Sequence, residues 1–232
     1  MTEVSPQILL IGAGSIGRRH LENLTALGYK NISVVTRSPL TNNFSKMPAY
    51  KTIRQALNSN SFTTAFICTP TSLHTENLKE LLSAQVPNIY IEKPVSNTSD
   101  DIKKITKLAA GYKNHIVVGF DLHFDPGLQK VQQLMQQNII GKTVSVNAFV
   151  GQHLAQWRPY EDYRKGMSAR VETGGGVLLD IIHEFDYLCW LNGPVDTVAG
   201  LHVNTGSLEI ETEECAEVLL QFKNGSIGAV HL

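Results

Sequence analysis

Gly12-Ala13-Gly14-Ser15-Ile16-Gly17 follows directly on the apolar run Ile8 to Ile11 and opens a stretch in which Ile16, Leu21, Leu24 and Leu27 recur at near-helical spacing. Strand, glycine turn and helix in that order constrain a fold far more than a glycine triplet alone. Gly12 permits the tight turn, Gly14 lets backbone approach a pyrophosphate, and Gly17 lets helix and sheet pack closely. The N–H groups at the start of the helix, from Ser15 and Ile16 onward, are then exposed to phosphate. The turn is read as a dinucleotide site.

The end of the second strand chooses the dinucleotide. NAD-binding versions usually place a carboxylate there for the ribose 2′-hydroxyl, whereas this chain reads Val34-Val35-Thr36-Arg37-Ser38. Arg37 suits a 2′-phosphate, with Thr36 and Ser38 adding hydroxyl donors. NADP is favoured over NAD, which stays open because Arg37 also reads as a solvated loop residue.

Short β-branched runs alternate with amphipathic helical patterns through the first half, the pattern of parallel βαβ units. Strands are expected at 8–11, 32–36, 64–68, 89–91 and 116–118, with helices after the first strand and around 73–84 and 102–110. The texture changes past Gly119. Asp125-Pro126 opens a helix carrying Leu128, Val131, Leu134 and Met135, and Val144 to Val150 alternates as a half-buried strand. The expected architecture is α/β: a Rossmann domain over residues 1–119, then an α+β domain over 120–232 with an open, mostly antiparallel sheet.

Composition excludes other classes. Twenty basic and 21 acidic residues leave a net charge of −1, so neither nucleic acid nor an anionic membrane is the implied partner. The apolar run at 8–11 is too short to span a bilayer, and Glu3 precedes it where a signal peptide would carry positive charge. Cys68, Cys189 and Cys215 are odd in number and widely spaced, as free thiols are in a reducing compartment. A cytoplasmic protein without disulfides or a metal site is expected.

Three further strings carry a resemblance. They are Cys68-Thr69-Pro70-Thr71-Ser72-Leu73-His74, then Glu92-Lys93-Pro94, then Gly174-Gly175-Gly176-Val177-Leu178-Leu179-Asp180-Ile181-Ile182-His183. In order and spacing the chain resembles the glucose–fructose oxidoreductase, inositol dehydrogenase and MocA-like (Gfo/Idh/MocA) family over its whole length. The resemblance implies that Thr69, Pro70, Thr71 and His74 line the cofactor crevice and that Glu92 belongs to the cofactor site. It places Lys93 beside the nicotinamide and Asp180 and His183 opposite. Many members set the His four residues after the Asp; here the spacing is three. The segment 157–170 further resembles members associated with bacterial surface-sugar pathways.

The residues carry their own argument. Lys93 follows a strand at the carboxyl edge of a parallel sheet, where ligands of doubly wound folds bind. Apolar surroundings and a cationic nicotinamide would lower its pKa toward a range useful for proton transfer, and Pro94 fixes the backbone after it, with a cis bond one option. A surface lysine is the plain alternative. Asp180 and His183 are three apart on an expected, mostly buried helix from Val177 to Leu191, so both project from one side. Buried, they need partners, and a sugar hydroxyl is suitable; a core histidine is the alternative. The glycines at 174–176 would let backbone approach a ligand. Arg158, Tyr163, Arg164 and Arg170 supply donors that suit a substrate carboxylate or phosphate, or form a solvated loop.

The combined reading is hydride transfer between NAD(P) and a carbinol carbon of a sugar-type substrate. Lys93 and His183 handle the proton, and Asp180 orients substrate or His183. A redox-inactive dinucleotide sensor and an NAD-assisted glycosidase stay open. Strands at 144–150, 198–203, 209–211, 218–222 and 227–232 are expected to form the second sheet, one face partly apolar, through which a homodimer or homotetramer would assemble. The chain stops on the second strand of a hairpin turned at Asn224-Gly225, whereas family members usually continue. A truncated second domain with an open edge at the last strand is therefore expected.

Overall fold

Leu9 and Ile11 face one side of the first strand and Ile8 and Leu10 the other, and each pair seeds a separate buried cluster. A strand buried on both faces belongs at the centre of a parallel sheet. The computed structural model describes residues 5–113, 115–157, 159 and 161–232. The chain divides into two compact units, Met1–Gly119 and Phe120–Leu232.

The first unit runs β1 (Ile8–Ile11), α1 (Ser15–Ala26), β2 (Ile32–Val35), β3 (Ala49–Tyr50), α2 (Ile53–Ser59), β4 (Thr64–Ile67), α3 (His74–Ser83), β5 (Asn88–Ile91), α4 (Ser99–Ala110) and β6 (His115–Val118). All six strands are parallel, in the order β3-β2-β1-β4-β5-β6. The direction of winding reverses between β1 and β4, so the Gly12 turn and the residues after β4 meet at the sheet's carboxyl edge. Ligands of such sheets bind at this point. Leu21 and Leu24 of α1 and Leu78 and Leu81 of α3 are buried in the two clusters. Each such side chain contributes about 1.5–3 kcal/mol by leaving water.

Sequence reasoning missed β3 and α2. β3 is two residues long, too short for a period, but α2 carries a readable start. The Thr52 side chain accepts from the N–H of Gln55 at 3.2 Å, and Gln55 reaches back to accept from the N–H of Lys51 at 3.0 Å. That is a variant of the reciprocal cap that Thr-x-x-Gln spacing encodes.

The second unit runs α5 (Pro126–Gln136), β7 (Ser145–Phe149), α6 (Leu154–Trp157), α7 (Val177–Asp180), α8 (His183–Asn192), β8 (Val195–Val203), β9 (Cys215–Phe222) and β10 (Ile227–His231). Asp125 caps α5 by accepting from the N–H of Leu128 at 2.9 Å, with Pro126 in the first turn. The sheet order is β7-β10-β9-β8. The β9–β10 hairpin and the β8–β9 pair are antiparallel, and β7 joins β10 in parallel. Val218, Leu220, Phe222 and Val230 point inward onto Ile181 and Leu188, whereas Leu219, Ile227 and Leu201 are exposed on the other face. Among the described residues no helix is long and apolar enough to cross a membrane.

Three expectations are corrected here. Residues 209–211 form no strand: Glu209 adopts φ 54°, and the N–H of Glu211 donates to the carbonyl of Ala169 at 3.0 Å instead of to a ladder. The Glu214 carboxylate, accepting from the N–H groups of Thr205 and Leu208 at 2.9 Å, folds this stretch as a loop. The last strand is not an edge either, because β7 pairs along its free side; β7 and β8 are the edges. Finally, the helix expected from 177 to 191 breaks at Ile181-Ile182, where Ile181 leaves helical geometry at φ −107°, ψ 35°. Two adjacent β-branched residues weaken a helix at that point.

Candidate active site

The carboxyl ends of β1, β2 and β4 surround a cavity of about 480 Å³. Gly12 and Gly14 line it from the turn, Thr36, Arg37 and Ser38 from the end of β2, and Thr69 and Pro70 from the end of β4. Gly12 sits at φ 95°, and a Cβ there would lie 2.7 Å from the carbonyl oxygen of Cys68. A Cβ on Gly17 would lie 1.9 Å from the carbonyl oxygen of Gly12, so neither position admits a side chain. At Gly14, by contrast, a Cβ would meet nothing within 4 Å. Ser15 and Ile16 are exposed in the first turn of α1, which holds no acidic residue and no side-chain cap among the described residues. First-turn N–H groups have no partner within a helix. Open space over the turn and uncapped donors fit a pyrophosphate.

Other expected cofactor residues are placed differently. The Thr36 hydroxyl donates to the carbonyl of Ser38 at 2.9 Å and accepts from the Ser38 N–H at 3.2 Å, so its proton organises the loop. Thr71 and His74 are buried and do not line the cavity. The His74 ring lies between two carbonyls, with Nδ1 2.9 Å from that of Pro94 and Nε2 2.9 Å from that of Thr69. It ties the turn after β4 to the turn after β5. Burial lowers the His74 pKa, outweighing the carbonyl contacts that raise it. Glu92 is also buried, its Oε1 2.6 Å from Nε2 of His20 and accepting from the Tyr90 hydroxyl at 3.2 Å. Lys93 directly follows, half-buried beyond the end of β5, and the Lys93–Pro94 bond is cis.

In the second unit Asp180 ends α7 and His183 begins α8, so the break separates the pair that a single helix would have presented together. Asp180 lines a cavity of about 520 Å³ with His153, Trp157, Glu213 and His231. His183 packs edge-on to Phe120, ring centroids 6.0 Å apart, with Nε2 3.7 Å from Oδ1 of Asp121. The preceding glycines answer to the chain's own packing. A Cβ on Gly175 would lie 2.3 Å from the carbonyl oxygen of Met167, and one on Gly176, at φ 113°, 2.3 Å from Oε1 of Glu213. That Glu213 oxygen accepts from the N–H of Leu178 at 3.1 Å and caps the start of α7.

Two of the expected substrate cations are already paired with carboxylates. Arg164 donates to Asp162 at 3.0 Å and to Glu209 at 2.8 Å, pairs that raise its pKa, and Arg170 lies 3.4 Å from Glu172. Neither arginine nor Tyr163 lines the Asp180 cavity, and Arg158 lies outside the described residues. Sequence reasoning overlooked two groups. His123 stacks on Trp190 at 4.5 Å with Nε2 2.7 Å from Oδ2 of Asp186, and Lys51 lines the glycine-turn cavity. On α8 the 3.6-residue period aligns Asp186 with Trp190, a signal that was available for the first.

The comparisons with known proteins bear on both units. A family model described as an oxidoreductase family with an NAD-binding Rossmann fold matches residues 7–120, and the GFO/IDH/MocA C-terminal domain matches residues 128–232. The chain is 25% identical over 232 residues to the uncharacterized oxidoreductase YrbE of Bacillus subtilis, covering 95% of this chain and 65% of that one. It is 26% identical over 239 residues to the myo-inositol 2-dehydrogenase of Thermotoga maritima, covering 97% and 67%. The chain thus spans about two thirds of the length of these relatives. The solved WlbA dehydrogenase of Bordetella pertussis, in complex with NADH and UDP-GlcNAcA, superposes with a TM-score of 0.86 at 21% identity over 100% of this chain and 68% of that one.

Proposed function

The chain belongs to the GFO/IDH/MocA oxidoreductase family, and from that premise we propose that it serves an NAD(P)-dependent dehydrogenase or reductase acting on a CH–OH group of a sugar-type substrate. The cavity at the switch point carries this reading: an open, uncapped glycine turn at the carboxyl edge of a sheet ordered β3-β2-β1-β4-β5-β6. Bound there, a nicotinamide dinucleotide supplies the hydride acceptor or donor. Gly14 and the first turn of α1 hold the pyrophosphate, and Arg37 favours NADP by pairing a 2′-phosphate. Lys93 carries the hydroxyl proton, with His183 as the second proton-handling group and Asp180 as the acceptor that orients the substrate. The substrate class draws support from the relatives, one named an inositol dehydrogenase and one solved with a nucleotide sugar.

A screen of polyols, sugars and nucleotide sugars, followed by nicotinamide absorbance with NADP and NAD, tests the reading. Turnover of one class that collapses in Lys93→Ala supports it. Cofactor binding with no turnover of any, in a chain indifferent to Lys93→Ala, would replace it with a redox-inactive sensor.

A further inference from the structure

We propose that Lys51 is a second specificity-determining cation for NADP(H), acting with Arg37 on the ribose 2′-phosphate; the inference rests on reading the switch-point cavity as the dinucleotide site. The backbone brings the two together. β3 pairs with β2 so that Tyr50 lies opposite Val35, and the N–H of Thr36 donates to the carbonyl of Tyr50 at 3.0 Å. The residues just past the two strand ends, Thr36-Arg37 and Lys51, therefore emerge side by side at the carboxyl edge. Both Arg37 and Lys51 line the cavity.

Lys51 is held in place at two points. Its N–H donates to Oε1 of Gln55 at 3.0 Å, and its Nζ donates to the carbonyl of Arg37 at 3.1 Å. An ammonium has three N–H donors, so two are left after the Arg37 carbonyl is served. Some cations of the chain are matched with carboxylates, Lys79 with Glu76, Lys104 with Asp101, Arg164 with Asp162 and Glu209, while others, such as Arg18 and Lys46 on the exposed surface, have none among the described residues. Among the described residues Arg37 and Lys51 have no such partner, and Glu80 is the one carboxylate lining a cavity that both cations line. Two unmatched cations with the Ser38 hydroxyl beside them suit a doubly charged phosphate monoester. They offer nothing to a neutral 2′-hydroxyl that a lone carboxylate would not do better.

Titration of the whole chain with NADPH, NADH, 2′,5′-ADP and ADP tests this without reference to turnover. Lys51→Gln keeps a donor for the Arg37 carbonyl and removes the charge. It should weaken NADPH and 2′,5′-ADP about tenfold, the order expected for a charge-assisted hydrogen bond, and change NADH and ADP less than twofold. Lys51→Arg should restore most of the loss. Since a phosphate monoester takes its second charge near pH ~6, the preference for 2′,5′-ADP over ADP should grow from pH 5.5 to 7.5, more steeply in the parent than in Lys51→Gln. Equal weakening of all four ligands would reduce Lys51 to a backbone support and overturn the proposal. Parent affinities equal for NADPH and NADH would overturn it while leaving the cavity reading intact, whereas binding of none of the four would remove both.

Discussion

Nε2 of His20, on the second turn of α1, lies 2.6 Å from Oε1 of Glu92, the residue that precedes Lys93. The His20 ring packs against Tyr90 at 5.1 Å and Phe66 at 5.5 Å, so the pair sits in a largely apolar wall. The helix that opens at the glycine turn is thereby fastened to the strand end that presents Lys93. His20→Ala would leave the carboxylate with the Tyr90 hydroxyl and little water, at a cost of about 1–3 kcal/mol in unfolding free energy. Denaturant melts of His20→Ala, Glu92→Gln and the double variant should show the double losing less than the sum of the singles. Strict additivity would mean that the contact carries no coupling.

His74 predicts an acid-side weakness. Its folded pKa is lowered by burial, so below about 6.5, the free-imidazole value, the unfolded chain takes the proton first. Stability from this residue is complete above that pH and is lost as the pH falls through the folded value. Thermal midpoints should drop between pH 7 and 5, and His74→Gln should flatten part of the drop. An unchanged slope in the variant would assign the acid sensitivity elsewhere.

These two histidines show where sequence reasoning reaches its limit. The strand–turn–helix order around Gly12 and the alternation of β9 are periodic and local, and both could be read before any coordinates. The capping of α5 by Asp125 was legible for the same reason. His20 and Glu92 are 72 residues apart, and no local spacing announces their contact. The motif around His74 carries a family likeness but does not say which way the ring turns, and it turns inward onto two carbonyls. Sequence does not announce the Ile181-Ile182 break, because both residues continue the apolar pattern of a helix while weakening its geometry. Sequence suggests room for a ligand at the glycines 174–176 because it does not show Met167 and Glu213 closing over them.

The cofactor reading makes Arg37 selective. Arg37→Ala should weaken NADPH by about 1.5–3 kcal/mol, the range for hydrogen bonds to charged groups, and barely alter NADH. Fluorescence titration with both dinucleotides decides it, and equal losses would detach Arg37 from the 2′-phosphate.

Lys93→Ala should leave dinucleotide affinity near the parental value while lowering turnover by about a hundredfold or more, as expected for loss of a general acid or base. His183→Ala should do smaller damage of the same kind. Steady-state rates on the substrate found by screening, paired with cofactor titrations, separate this from a binding defect. Parental turnover in the lysine variant would end its assignment as proton carrier.

The outer face of the second sheet makes the last prediction. Leu219 and Ile227 are 63% and 56% exposed, neighbours on adjacent strands, and with Ala199 and Ala229 they line an apolar groove of about 270 Å³. Leu201 and Val203 add further exposed apolar surface on the same face of β8, an edge strand. Apolar surface gathered on one sheet face is seldom left to water, and a second copy of the same face is its simplest symmetric cover. The open edge once expected at the last strand contributes nothing, since β7 and β9 flank it; association must come from the face or from β7 and β8. Light scattering coupled to size exclusion should therefore show a dimer or tetramer at micromolar concentration. Leu219→Glu places a charge at the centre of the groove and should shift that assembly toward monomer, while Lys113→Glu, in the other unit, should not. A monodisperse parental monomer would remove the association, and a dimer indifferent to Leu219→Glu would move it to a different surface.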